Sequence, residues 1–204
     1  MLMIDRGLPW ARSLLGPLSA AEGVHRLDVP TLVASLSVWL HSPTPAHRVL
    51  GIHRNTLINR VRLLGDLLGL DTTNLATKAT LSLALRIHHA SHEPAWAPVA
   101  MAPGLPSELV TLPTVRAWAR RRLHPLAQLP SETGIHTLVT WIESGARNAP
   151  AASALGVTEA GLRKRIKRMD DALGQPLSTD PLARFDMWLA LRACAQPHGA
   201  RGVG

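Results

Sequence analysis

The chain repeats itself. Trp10-Ala11-Arg12, followed by Pro17-Leu18, returns as Trp118-Ala119-Arg120, followed by Pro125-Leu126. Thr31-Leu32-Val33 returns as Thr137-Leu138-Val139, and Leu50-Gly51-Ile52 as Leu155-Gly156-Val157. Leu83-Ala84-Leu85-Arg86 closes the first copy and Leu189-Ala190-Leu191-Arg192 the second. The anchors keep their order while the offset drifts only between 105 and 108 residues, as single-residue insertions in loops would produce. Whatever one copy folds into, the other must also fold into, so the 204 residues divide into two small domains.

Between the copies lie Pro94, Pro98, Pro103, Gly104, Pro106 and Pro113. So many prolines exclude a long helix across the boundary and favour stiff, extended backbone. The expected organisation is a first domain at 1–90, a Pro-rich linker at 91–113, a second and divergent domain at 114–197, and a disordered, Gly-rich tail at 198–204.

The apolar residues are mainly Leu, Ala and Val, with one Phe and no Tyr. That palette favours helices, and the expected fold is all-α: two tandem small helical bundles. In the first copy Leu32, Leu36 and Leu40, with Val33 and Trp39, form a helical stripe. Thr44 then offers an N-cap and Pro45 a first helical residue for a short helix reaching Leu50. Gly51 stands where a helix end needs a left-handed residue. A third helix starts at Arg54, places Leu57, Val61, Leu64 and Leu68 on one face, and stops at Gly69. A last helix, capped by Asn74, runs from about Leu75 to His89. The second copy repeats the plan with helices at Leu138 to Ser144, Ala149 to Leu155 and Glu159 to Leu173, a turn at Gly156, and a final helix opened by Asp180-Pro181. Leu162, Ile166, Met169 and Leu173 form the inward face of the long helix.

A short helix, a glycine turn and a second helix with one polar, cationic face is the helix-turn-helix arrangement, whose second helix enters the major groove of DNA. In the first copy that face carries Arg54, Asn55, Thr56, Asn59, Arg60 and Arg62, with His53 just before it, placed to cap the helix or touch a phosphate. Arg donates two hydrogen bonds to guanine and Asn bridges adenine, while Thr and helix-terminal amides suit phosphate oxygens. In the second copy Thr158, Glu159, Arg163, Lys164, Lys167 and Arg168, with Arg165 beside them, form a face denser in charge and poorer in base-reading groups. Its Glu159 either accepts from cytosine N4 or complements the helix dipole. Gly161, inside this helix, costs about 1 kcal/mol relative to Ala unless a close approach requires it.

The net charge of +8 fits a polyanionic partner, since clustered cations bind phosphates by releasing condensed counterions. The excess is larger in 106–204, with thirteen Lys and Arg against eight acids, than in 1–105, with nine against six. Arg120-Arg121-Arg122 is a further basic cluster, either solvated or a phosphate clamp.

Leu50-Gly51-Ile52-His53-Arg54-Asn55-Thr56-Leu57, Arg60-Val61, Leu67-Leu68-Gly69-Leu70 and Leu83-Ala84-Leu85-Arg86, with the preceding Leu15-Gly16-Pro17-Leu18, resemble the C-terminal helix-turn-helix domain of PucR/CdaR-type bacterial transcription regulators over residues 10–87. The resemblance implies a Fis-type helix-turn-helix and carries a DNA-contact role onto His53, Arg54, Asn55, Thr56 and Arg60. The second copy is similar to the same domain at Leu155-Gly156-Val157, Leu162, Arg165-Ile166, Leu173-Gly174, Asp180-Pro181 and Leu189-Ala190-Leu191-Arg192, but Thr158-Glu159-Ala160-Gly161 replaces the signature. The chain lacks the long upstream sensor region usual in such regulators, so it is expected to be a truncated regulator or a fragment of one.

The expected function is sequence-specific binding of double-stranded DNA in transcription regulation, the first copy reading bases and the second anchoring on phosphates. The alternative makes the second copy an interaction module, contacting RNA polymerase or forming a homodimer. No Ser/His/acid set, P-loop, nucleotide-binding glycine loop or paired-carboxylate motif is present, so no enzyme and no cofactor is expected. His88, His89, His92 and Glu93 are the one metal-like cluster, and two exposed histidines at a helix end are expected to be idle. Cys194 stands alone, excluding an intrachain disulfide and a Cys-based zinc site; it is expected to be a buried or idle thiol. Single-stranded or RNA binding usually wants stacking aromatics, which one Phe and six mostly core-like Trp supply poorly. The richest apolar stretch, around Leu81 to Ile87, is far shorter than the ~20 residues of a membrane span, and a cytoplasmic location is expected.

Overall fold

The computed structural model describes residues 2–21, 28–91, 104–130 and 133–195, and every regular element among them is helical. The chain divides into two compact units, Met1–Leu105 with Leu177–Phe185, and Pro106–Pro176 with Asp186–Gly204.

The first unit opens with a helix that includes the Trp10-Ala11-Arg12 anchor of the repeat. α1 spans Leu2–Leu15 despite Pro9 inside it, and leads into a 3-10 segment at Gly16–Ala21. Trp10, Ala11, Leu14, Leu15 and Leu18 are buried, and the Trp10 Nε1 donates to the Gly104 carbonyl at 2.9 Å. α2 spans Val29–His41, with Asp28 as its N-cap accepting from the Thr31 amide at 2.8 Å. Hydrogen bonds from the Thr31 side chain and amide hold the Asp28 carboxyl below its ordinary range. Leu32, Val33, Leu36 and Leu40 face the core as the stripe predicts, and Lys78 sits over the half-buried Trp39 at 5.3 Å from the ring centroid.

α3 is a single turn, Ala46–Val49, and here the expected cap shifts by one residue. Pro45 is the cap itself, its carbonyl accepting from the Arg48 amide, while the Thr44 hydroxyl is taken up by Ser42. α4 spans Arg54–Leu68 and ends on left-handed Gly69, burying Leu57, Leu64 and Leu68. α5 spans Leu75–Ser91, with Asn74 accepting from the Ala76 amide as expected. It is buried almost all round from Ala79 to Leu85, because α1 packs against one side and α2 against another.

In the second unit α6 spans Ser107–Val110, a one-turn helix in the Pro-rich stretch that buries Leu109 and Val110. α7 spans Pro113–Ala127, again with a proline inside it, Pro125. α8 spans Ile135–Glu143, α9 Asn148–Ala154 and α10 Glu159–Leu173, while α11, Pro181–Ala195, belongs to this unit from Asp186 onward. Asp180 caps α11, accepting from the Leu182 amide at 2.9 Å. Gly134 is buried at the start of α8, where the Leu126 carbonyl oxygen comes within 2.3 Å of the place a Cβ would occupy. Trp141 donates to Asn148 Oδ1 at 3.1 Å, tying α8 to α9. Arg122, from the basic cluster on α7, is half-buried. It donates to Gln175 Oε1 and lies 3.7 Å from Asp186, while Arg120 and Arg121 are exposed.

Cys194 is exposed, not buried. The expected tail at 198–204, most of the expected linker, and His92 and Glu93 lie outside the described residues. Among those described, no three His, Cys, Asp or Glu residues come together as a metal site, and no helix is long and apolar enough to cross a membrane.

Candidate nucleic-acid interface

The two units build the same corner in the same way. After α3 the amide of Gly51 donates to the Arg48 carbonyl at 3.2 Å, and that of Ile52 to the His47 carbonyl at 3.0 Å. After α9 the amide of Gly156 donates to Ser153 at 3.1 Å, and that of Val157 to Ala152 at 3.0 Å. These paired bonds form a Schellman stop, which needs a left-handed residue at the turn. Gly51 and Gly156 supply it with φ of 63° and 64°. The stop sets the direction in which the next helix leaves, so α4 and α10 emerge with equivalent exposed faces.

His53 does cap α4, its Nδ1 accepting from the Asn55 amide at 3.3 Å. Thr158 caps α10 one residue deeper, accepting from the Gly161 amide at 3.0 Å. Gly161 is thus the third residue of α10, in its first turn. A Cβ at Gly161 would stand 3.3 Å from the capping Thr158 Oγ1, tighter than an ordinary contact.

On α4, His53, Arg54, Asn55, Thr56, Asn59 and Arg62 are all exposed. Arg60 is not. It is half-buried, with Nη1 donating to Ser35 Oγ on α2 at 3.0 Å and Nε enclosed without a partner. On α10, Arg163, Lys164, Lys167 and Arg168 are exposed, and two of them pair with acids of their own helix. Arg163 lies 3.7 Å from Glu159, and Lys167 donates to Asp171, whose hydrogen bond and charge raise the Lys167 pKa. Charge density is therefore a poor guide to field. α10 carries five cations against three acids and α4 three against one, so both helices have the same excess.

Sequence reasoning missed Ser35, a small polar residue on a helix assigned to the core, and Ile58, an apolar residue on the cationic face. Among the described residues Val49 and Ile58 are the exposed large hydrophobics, at 55% and 43%.

No curated protein and no solved structure matches the chain significantly. The family model of the PucR C-terminal helix-turn-helix domain matches it twice, at residues 32–87 and 135–193. Both matches contain the Schellman corner and the helix after it; α1 and α7 precede them. Since together they cover more than half of the chain, it belongs to the family of PucR C-terminal helix-turn-helix domains, carrying two tandem copies.

Proposed function

We propose that the chain is a cytoplasmic, sequence-specific regulator of transcription that binds double-stranded DNA without catalysing a reaction. The observation that carries this reading is the exposed polar face of α4 behind the Gly51 corner. Arg54, Asn55, Asn59 and Arg62 offer bidentate donors and acceptors to base edges in the major groove, while His53, Thr56 and the first amides of α4 suit a phosphate. Arg60 joins them from a half-buried place with one Nη committed to Ser35. In the second unit Arg163, Lys164, Lys167 and Arg168 anchor on phosphates.

Selection of bound duplexes from a random pool, with the affinity of the winner followed against salt, tests the proposal. A defined motif and a slope of log K against log salt steeper than about −3 are expected, since each neutralised phosphate contributes about 0.9. Arg54→Ala or Asn55→Ala flattens the motif, costing about 1 to 3 kcal/mol at one position, whereas Lys164→Ala with Lys167→Ala lowers affinity for all sequences and leaves the motif intact. Absence of duplex binding at low salt overturns the reading.

A second reading draws on the Glu159–Arg163 and Lys167–Asp171 pairs, which neutralise part of the α10 face. In it the second unit contacts a protein, RNA polymerase or a second copy of the chain. Unchanged affinity and salt slope in the Lys164→Ala, Lys167→Ala variant would favour it.

A further inference from the structure

Ile58 is out of place on α4. It follows Arg54 by four residues and precedes Arg62 by four, so it sits within one turn of each on the same side of the helix. Its neighbours on the exposed face are charged or polar, yet Ile58 is itself 43% exposed. The hydrophobic stripe of α4 is completed by Leu57, Leu64 and Leu68, and needs nothing from position 58.

The second unit shows what the position otherwise holds. At the same offset of 105 residues α10 has Arg163, paired with Glu159, the counterpart of Arg54. The first unit has exchanged that ion pair for Arg54 and Ile58. Two things follow. Arg54 has no acid one turn ahead on its own helix, so its guanidinium is not neutralised from there. Beside it, a branched apolar side chain faces the same side as the hydrogen-bonding groups.

On a surface meant for the major groove, one chemical group meets such a side chain: the C5-methyl of thymine, the sole apolar patch among the base edges. Arg54 and Arg62, which flank Ile58 on that face, would reach base edges on either side of it. Resting on the DNA-binding reading above, we propose that Ile58 is a specificity residue of the first unit that recognises a thymine by its methyl group.

The test uses the full-length chain and the duplex it enriches from a random pool, with each thymine replaced in turn by deoxyuridine, which removes the methyl alone. The wild-type chain is expected to lose about fourfold in affinity at one or two thymines, the effect of burying a single carbon group. Ile58→Ala should bind the thymine and deoxyuridine forms of those positions equally. Ile58→Val, which keeps a branched methyl surface, should retain most of the discrimination, and equal melting temperatures of the three proteins separate recognition from folding. A bound duplex in which no methyl matters overturns the proposal while leaving DNA binding intact. So does Ile58→Ala that keeps the full thymine preference, or that changes only self-association. If no duplex is enriched at all, the DNA-binding reading fails first.

Discussion

Arg60 Nη1 donates to the Ser35 hydroxyl across 3.0 Å, joining the middle of α4 to α2, and Ser35 in turn donates to the Thr31 carbonyl at 2.8 Å. The second unit has a parallel link. Arg165, at an offset of 105 from Arg60, reaches Thr137 Oγ1 on α8 at 3.5 Å, one turn away from the place equivalent to Ser35. In both units an arginine of the exposed helix is turned back toward the helix that precedes the short one, α2 or α8.

This link makes Ser35→Ala informative. The hydroxyl is buried, and removing it leaves Arg60 without that acceptor in a half-buried place. A loss of about 1 kcal/mol is expected, or up to about 3 because the donor is charged. Each kcal/mol corresponds to a fall of about 4 to 8 °C in the melting temperature of a domain this small. Unchanged melting would mean that the bond does not tie α4 to α2.

If the α10 cations anchor on phosphates as proposed, Glu159 and Asp171 compete for two of them. Releasing Arg163 and Lys167 with Glu159→Gln and Asp171→Asn should strengthen binding to any duplex. The salt slope should steepen by about 0.9 for each cation that gains a phosphate. A different result for Glu159→Gln, a changed preference at a cytosine with no change in slope, would identify Glu159 as a base reader.

The first unit should lose stability in mild acid. His41 on α2 shares a 2.9 Å hydrogen bond with Ser82 on α5, and burial, with Arg86 and His89 nearby, pushes its pKa below the ordinary value. Burial, with His89 and Arg12, does the same to His88. Because the folded pKa lies below the unfolded one, the unfolded chain holds more protons between the two. The stabilisation is therefore present above about pH 6.5 and is lost as pH falls through the folded values, by at most about 1.4 kcal/mol per pH unit for each histidine. Melting followed between pH 7.5 and 5 should show the decline, and His41→Gln should reduce its slope. An unchanged slope in that variant would remove His41 from the effect.

Gly134→Ala is expected to be severe for a change of one methyl. The new Cβ would lie 2.3 Å from the Leu126 carbonyl oxygen, so α7 or the start of α8 must move. Overpacking of this kind costs about 1 to 3 kcal/mol. Urea unfolding should show a lower midpoint, whereas Ala at Gly104, where a Cβ meets nothing within 4 Å, should be nearly neutral.

The sequence by itself determined the repeat, the all-helical fold and the corner in each copy. The bounds of α4 and α10, the caps at His53, Asn74 and Asp180, and the left-handed glycines are local matters. A cap or a turn is set by residues a few positions apart, so its signal survives without any knowledge of neighbours. Tertiary packing decided what cannot be local. α1 and α7 are helical despite Pro9 and Pro125 inside them, where they pack against α5 and against α8 and α10. Spacing alone places Arg60 on the exposed face with Arg54, Asn55 and Asn59. α2 supplies the Ser35 hydroxyl that draws Arg60 inward, and no helix covers Ile58 enough to bury it. Helical periodicity fixes which residues share a side, but what that side meets depends on partners distant in sequence.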